Sequence, residues 1–254
     1  MTTDSPLVAL ITGAGRGIGR AIAISLGHAG LTLALAARTR SQLDAVADEL
    51  QSAGGARPRV QEMDVADPES VAAALGQLSA ALPCIDILVN NAGIAESAPL
   101  ARTSLDLWQR HLAINATAPF LLSRALVPAM VERGWGRVIN IASTAGLAGA
   151  AYITAYAASK HALVGLTRAL AAETAGSGVT VNAICPGYAA TDIVWSGARR
   201  ITEKTGKSFD EAIAAMARFN RSGTLVEPEA VAAVVLDLCS EKSAGRTGEA
   251  IEIS

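Results

Sequence analysis

Cysteine is scarce in this sequence and never paired: Cys84, Cys185 and Cys239 stand alone among 254 residues, in no CxxC or metal-like spacing. A disulfide scaffold is thereby excluded, and a reducing, cytoplasmic setting is expected, each thiol serving as a small core residue. Histidine is as sparse. His28, His111 and His161 are too dispersed to assemble a zinc site, so no metal is expected; His161, adjoining Lys160, is the one placed where a site could reach it. Neither sign of charge dominates: the formal net charge is -2 and charged residues make up 17%. That leaves no basic field for nucleic acid and no acidic tail. Long apolar runs are also missing. Residues 21–37 carry no Lys, Arg, Asp or Glu, but Gly27-His28 and Gly30 interrupt a run already short for a bilayer. It reads as a buried helix followed by a buried strand. The opening "MTTDSPLVALITGAG" has no cationic segment before its apolar run, so neither a secretory signal nor a membrane partner is expected.

What is present is a hydrophobic fraction of 51%, enough to bury a sizeable core in one domain over 1–254. Short runs rich in Val, Ile and Leu recur at 7–12, 31–36, 59–63, 85–90, 136–143, 179–184 and 249–253. Most are apolar at both alternating positions, as parallel strands covered on both faces must be. Between them lie segments of helical period, such as "RSQLDAVADEL" after Thr39 and "PESVAAALGQLSAAL" after Asp67, with Asp67 as N-cap and Pro68 in the first helical position. Two longer helices are expected over 104–131 and 150–175. The alternation predicts a Rossmann-type, doubly wound parallel sheet of seven strands with helices on both faces. Ligands should then bind in the strand-to-helix turns. The stretch 187–223 breaks the rhythm and reads as a substrate-covering lid.

The first strand runs into "TGAGRGIG". A G-x-G-x-x-G pattern begun at Gly13 would need glycine where Ile18 stands, yet Gly13, Gly17 and Gly19 still permit a tight turn and an open helix N-terminus facing a diphosphate. "NNAG" (90–93) ends the fourth strand, "YAASK" (156–160) follows Ser143 at thirteen residues' distance, and Pro186-Gly187 ends the sixth strand with Thr191 beyond. Together these motifs resemble the classical short-chain dehydrogenase/reductase family along essentially the whole chain.

The resemblance implies a dinucleotide cofactor lined by Gly13, Arg16, Gly17, Ile18, Gly19, Arg38, Asp64, Val65, Asn91, Ala92, Gly93, Tyr156, Lys160, Pro186, Gly187 and Thr191. Asp64 and Val65 would meet the adenine, and Thr191 the carboxamide. Where an NAD enzyme of this fold carries a carboxylate at the end of its second strand, this chain has Ala37 followed by Arg38. Arg16 and Arg38 could clamp a 2'-phosphate, so NADP is the expected coenzyme. As solvated surface charges the two arginines would have no such role.

The segment "AYITAYAASKHAL" places Tyr152 and Tyr156 one helical turn apart, with Lys160 a turn further. A free phenol titrates near pH ~10, so a tyrosine exchanging protons at neutrality needs a nearby cation. The family's roles fall on Tyr156 as general acid/base, Lys160 as its partner, Ser143 as the group that steadies the substrate oxygen and Asn115 as holder of a relay water. Tyr152 has neither offset and is expected to be a pocket wall or packing residue, as are Tyr188 and Trp195. Thr144 is a weaker candidate for the contact assigned to Ser143.

For substrate, "ICPGYAATDIV" and "KTGKSFDEA" resemble the hydroxyacyl-thioester and ketoreductase branch. A 3-oxoacyl or cyclic acyl thioester ranks first, a general secondary alcohol or ketone second. The lid bears Arg199, Arg200, Lys204, Lys207, Arg218 and Arg221 against Glu203, Asp210 and Glu211, which suits coenzyme A phosphates or an acyl carrier, or else a solvated helix face. A catalytically silent dinucleotide-binding regulator is disfavoured because Ser143, Tyr156 and Lys160 are all present. The three-residue gap between tyrosine and lysine argues against an enoyl reductase. Relatives of this kind are commonly homotetramers. The chain's final "EAIEIS" is shorter than the glycine-containing tail many of them carry.

Overall fold

The computed structural model describes residues 6–254; the first five residues of the expected domain lie outside the described ones. Seven strands, β1 (Val8–Thr12), β2 (Thr32–Ala37), β3 (Arg59–Glu62), β4 (Ile87–Asn90), β5 (Gly136–Ile141), β6 (Val179–Pro186) and β7 (Ala250–Ile253), form one sheet in the order β3-β2-β1-β4-β5-β6-β7. Every pairing is parallel. The order reverses between β1 and β4, which opens a crevice at their carboxyl ends.

The doubly apolar strands have a direct cause. Along β1, Ala9 and Ile11 enter one core with α1 (Gly17–His28), α2 (Arg40–Ser52) and α9 (Pro228–Cys239), while Val8 and Leu10 enter the other with α3 (Pro68–Ala81) and α5 (Ala118–Arg133). Asp67 caps α3 as expected, its carboxylate accepting from the Glu69 N–H with Pro68 at the first helical position.

The long helix expected over 104–131 is not one regular helix. Ser104 caps α4 (Leu105–Leu112), a π-helical segment spans Ala113–Thr117, and α5 follows without a break. Pro119 supplies the reason: it has no N–H to donate to the carbonyl of Asn115, so regular i to i+4 bonding cannot pass this point. By length and mean hydropathy (1.3) the stretch Leu105–Arg133 could cross a bilayer, yet its inner side packs on β5 and on α6 (Thr154–Glu173). That helix begins four residues later than expected, which leaves Tyr152 outside it.

The stretch expected to form a lid holds α7 (Asp192–Thr205) and α8 (Phe209–Ala217), the latter started by a capping box of Ser208 and Glu211. It leaves and returns at one place, where Ala189 bridges Val226 and the Val226 N–H donates to the Tyr188 carbonyl.

Candidate active site

The glycine turn after β1 is shaped for close approach. Gly13 and Gly17 have φ of 64° and 52°, where a side chain is strained. A Cβ at Gly13 would lie 2.9 Å from Asn91 Nδ2, and one at Gly19 only 2.2 Å from the Gly13 carbonyl oxygen. The first is the tight turn and the second the close contact of helix with strand. Ile18 turns into the core instead. Arg16 at the N-cap of α1 contributes no capping bond and no acidic residue occupies the first turn, so the positive end of the helix is free for an anion. These features fit a dinucleotide diphosphate.

"NNAG" has a structural logic that spacing alone did not expose. Asn91 Nδ2 donates to the carbonyls of Thr12 and Gly13, while Thr12 Oγ1 accepts from the N–H groups of Asn91 and Ala92. Asn90 donates to Asn140, and Asn140 to Thr167 on α6, at 2.8 and 2.9 Å. A buried amide chain thus sets the depth of α6 against β4 and β5. Gly93 ends the turn beside Lys160: a Cβ there would sit 3.6 Å from its Nζ.

Ser143, just beyond β5, is buried, and its Oγ accepts from the Ala145 N–H while facing the Tyr156 phenol. Enclosure pushes Tyr156 above its ordinary range, and the hydrogen bond from Ser143 opposes that rise. Lys160, 4% exposed, donates to the Ile141 carbonyl at 2.8 Å, and desolvation lowers it from 10.5 to about 8. Its Nζ lies 6.0 Å from the Tyr156 ring centre. The expected trio therefore does converge at the carboxyl end of β5. Thr144 opens the following turn and stays outside the trio.

Asn115 is fully buried at the π segment, with its amide already committed. It accepts from the Ile94 N–H and donates to the Ile94 carbonyl and to Ser159 Oγ, each at 3.0 Å. What remains for a relay water is its main-chain carbonyl, whose α-helical donor Pro119 removes.

Several expected binding residues take other places. Arg16 does not stand ready beside Arg38; it pairs with Asp192 at the foot of α7, at 2.7 Å, because the opposite charge lies within reach. Both partners are more than half exposed, so the pair holds by at most about 1 kcal/mol. Arg38 is exposed after β2. Asp64 caps its own turn by accepting from the Ala66 N–H, with Val65 partly buried against the core. Pro186 is the last residue of β6, the Gly187 N–H donates to the Ile253 carbonyl, and Thr191 lies against Gly17. Tyr188 meets Phe219 at a tilt, ring centres 5.9 Å apart, whereas Trp195 meets Phe209 at a similar tilt between α7 and α8. Tyr152 shares no helical face with Tyr156; it sits in the preceding turn at φ 69°, 65% exposed, its carbonyl accepting from the Ala98 N–H.

Two residues escaped sequence reasoning. Asn220, buried in the lid, accepts from the Tyr188 N–H and donates to the carbonyls of Tyr188 and Thr224. A Cβ at Gly187 would lie within 2.1 Å of its Oδ1, so Gly187 is glycine to admit this anchor. His111, fully buried, packs edge-on against Tyr156, ring centres 6.2 Å apart. No local pattern marks either, since their partners are distant in the chain. Among the described residues, no three His, Cys, Asp or Glu groups gather as a metal site.

Comparison with known proteins agrees with this geometry. The family described as short chain dehydrogenase matches residues 7–201. A 3-oxoacyl-[acyl-carrier-protein] reductase FabG of Aquifex aeolicus is 37% identical over 97% of this chain and 95% of its own. A variant of actinorhodin polyketide ketoreductase, solved with NADPH, superposes with a TM-score of 0.93 at 35% identity, covering 100% of this chain and 97% of that one. L-sorbose reductase from Gluconobacter frateurii, solved with NADPH and L-sorbose, gives 0.92 at 31% identity over 98% and 95%.

Proposed function

The chain belongs to the short chain dehydrogenase family, and from that premise we propose that it interconverts a ketone and a secondary alcohol with NADP(H), most favourably a 3-oxoacyl thioester or a cyclic acyl relative. The observation that carries this reading is buried Lys160 one helical turn beyond Tyr156, with Ser143 facing the phenol.

When bound, NADPH supplies the hydride. Ser143 and the Tyr156 hydroxyl hold the carbonyl oxygen, and Tyr156 delivers the proton as negative charge grows there. The ammonium of Lys160 stabilises the tyrosinate left behind and reaches the ribose hydroxyls. A water on the Asn115 carbonyl returns the proton by way of Lys160. Gly13, Gly17 and Gly19 admit the diphosphate, with Asn91, Ala92 and Gly93 along the ribose side. Asp64 and Val65 bound the adenine, and Pro186, Gly187 and Thr191 the nicotinamide. Arg38, and Arg16 once released from Asp192, receive the 2'-phosphate in a position free of carboxylate.

The thioester preference draws on the relatives that reduce 3-oxoacyl carriers and polyketides, and on a lid whose Tyr188–Phe219 pair offers an apolar wall, Phe219 being 77% exposed. A general secondary alcohol is the second reading, favoured by the likeness to a sorbose reductase. We read the protein as a single-domain cytoplasmic homotetramer, its exposed Leu105, Phe120 and Val131 covered between subunits rather than by lipid. The test is NADPH oxidation with matched acyl thioesters, cyclic ketones and sugars. A kcat/KM at least tenfold higher for thioesters is expected; preference for a sugar would reverse the substrate ranking.

A further inference from the structure

The catalytic tyrosine has a neighbour with no part in the proton relay. His111 is fully buried at the end of α4, its Nδ1 2.8 Å from the Leu107 carbonyl oxygen and its Nε2 3.1 Å from the Glu96 N–H. A carbonyl only accepts and an amide N–H only donates, so the ring must be neutral with its proton on Nδ1. Glu96 is tied to α4 a second time, its carboxylate taking a hydrogen bond from Arg110 at 2.7 Å. Two residues earlier Ile94 is held by Asn115, and two later the Ala98 N–H donates to Tyr152. The segment 94–98 is therefore fastened at Ile94, Glu96 and Ala98. His111 touches both it and the tyrosine ring.

We propose that His111 is a positioning residue: its neutral imidazole, accepting from the Glu96 N–H and packed on the Tyr156 ring, ties the 94–98 segment to the tyrosine and so sets the two together for the ketone. The charged and titratable groups facing it are Glu96 and Arg110 on the segment side, and Tyr156 with Lys160 beyond it on α6.

The kinetic arm rests on the reading of Tyr156 as proton donor to a ketone; the spectroscopic arm does not. In full-length NADPH-loaded enzyme, His111→Phe keeps the packing and loses the acceptor. It is expected to raise ketone KM about five- to tenfold and to hold kcat within about threefold. His111→Gln, whose amide oxygen can still accept, is expected to return KM to within about threefold of the wild type. In the wild type, nitrogen NMR is expected to show the proton on Nδ1 and a coupling across the bond from the Glu96 amide to Nε2, and the Glu96 amide is expected to exchange faster in His111→Phe than in His111→Gln. An unchanged KM in His111→Phe, no recovery in His111→Gln, a proton on Nε2, or a Glu96 amide that exchanges alike in both variants would overturn the proposal. Should His111→Phe fail to fold, His111→Gln and the wild-type spectra decide the matter. If no ketone is turned over, the reaction assignment fails while the Glu96 amide still judges this one.

Discussion

Lys160 shows what burial does to a single residue. Its ammonium, partnered by one carbonyl, is otherwise desolvated, and burial brings it from 10.5 to about 8. Because the folded value lies below the unfolded one, the unfolded chain binds more protons between the two, and stability rises with pH across that window. The gain attributable to this group is at most about 3 kcal/mol. Tyr156 works in the opposite sense above its unfolded value near pH ~10, since the folded phenol holds its proton longer. Denaturant unfolding of wild type and Lys160→Met from pH 7.5 to 9.5 is therefore expected to show a wild-type slope that the variant lacks, the remaining groups cancelling in the difference. Parallel slopes would mean that the lysine is already solvated. Tyr152 makes the contrasting case. At φ 69° it is the one residue other than glycine, among those described, with positive φ, and its phenol has no place in the trio. Tyr152→Phe is expected to leave kcat within about twofold, measured against Tyr156→Phe on the same ketone.

At the scale of elements, the site depends on departures from regularity. The π segment holds Asn115 buried, and Pro119 removes the i+4 donor to its carbonyl. The lid is fixed at one point by Asn220. Asn220→Ala removes three hydrogen bonds and leaves the Tyr188 N–H without its acceptor, costing about 2–4 kcal/mol locally. Hydrogen exchange is expected to accelerate over residues 188–224 while β4 to β6 stay protected; uniform acceleration across the sheet would contradict a lid-specific anchor. The strands and the Tyr156–Lys160 pair were legible in the sequence because each is a short-range pattern: doubly apolar runs in one case, a four-residue offset in the other. The start of α6 after Tyr152, the π segment, the Arg16–Asp192 pair and the Asn90–Asn140–Thr167 chain were not. Each is decided by a partner 27 to 176 residues away, or by a missing hydrogen-bond donor that composition does not flag.

For the whole molecule, one sheet brings four turns to the same crevice. In the proposed function, the glycine turn after β1 and "NNAG" after β4 take a diphosphate and ribose, and Ser143 after β5 and Gly187 after β6 the reacting centre. On the same reading charge sets the coenzyme at the rim: Arg38→Ala is expected to weaken NADPH binding about tenfold or more and leave NADH binding unchanged, by fluorescence titration of each. Equal loss for both would remove the arginine from 2'-phosphate recognition. The central claim is that Tyr156, with buried Lys160 one helical turn beyond it, protonates a carbonyl as hydride arrives. Single-turnover decay of NADPH fluorescence with a 3-oxoacyl thioester tests it most directly, comparing wild type with Tyr156→Phe at equal NADPH occupancy. The account predicts a loss of about a hundredfold to ten-thousandfold in the hydride-transfer rate with coenzyme affinity intact. A variant that transfers hydride at the wild-type rate would contradict it.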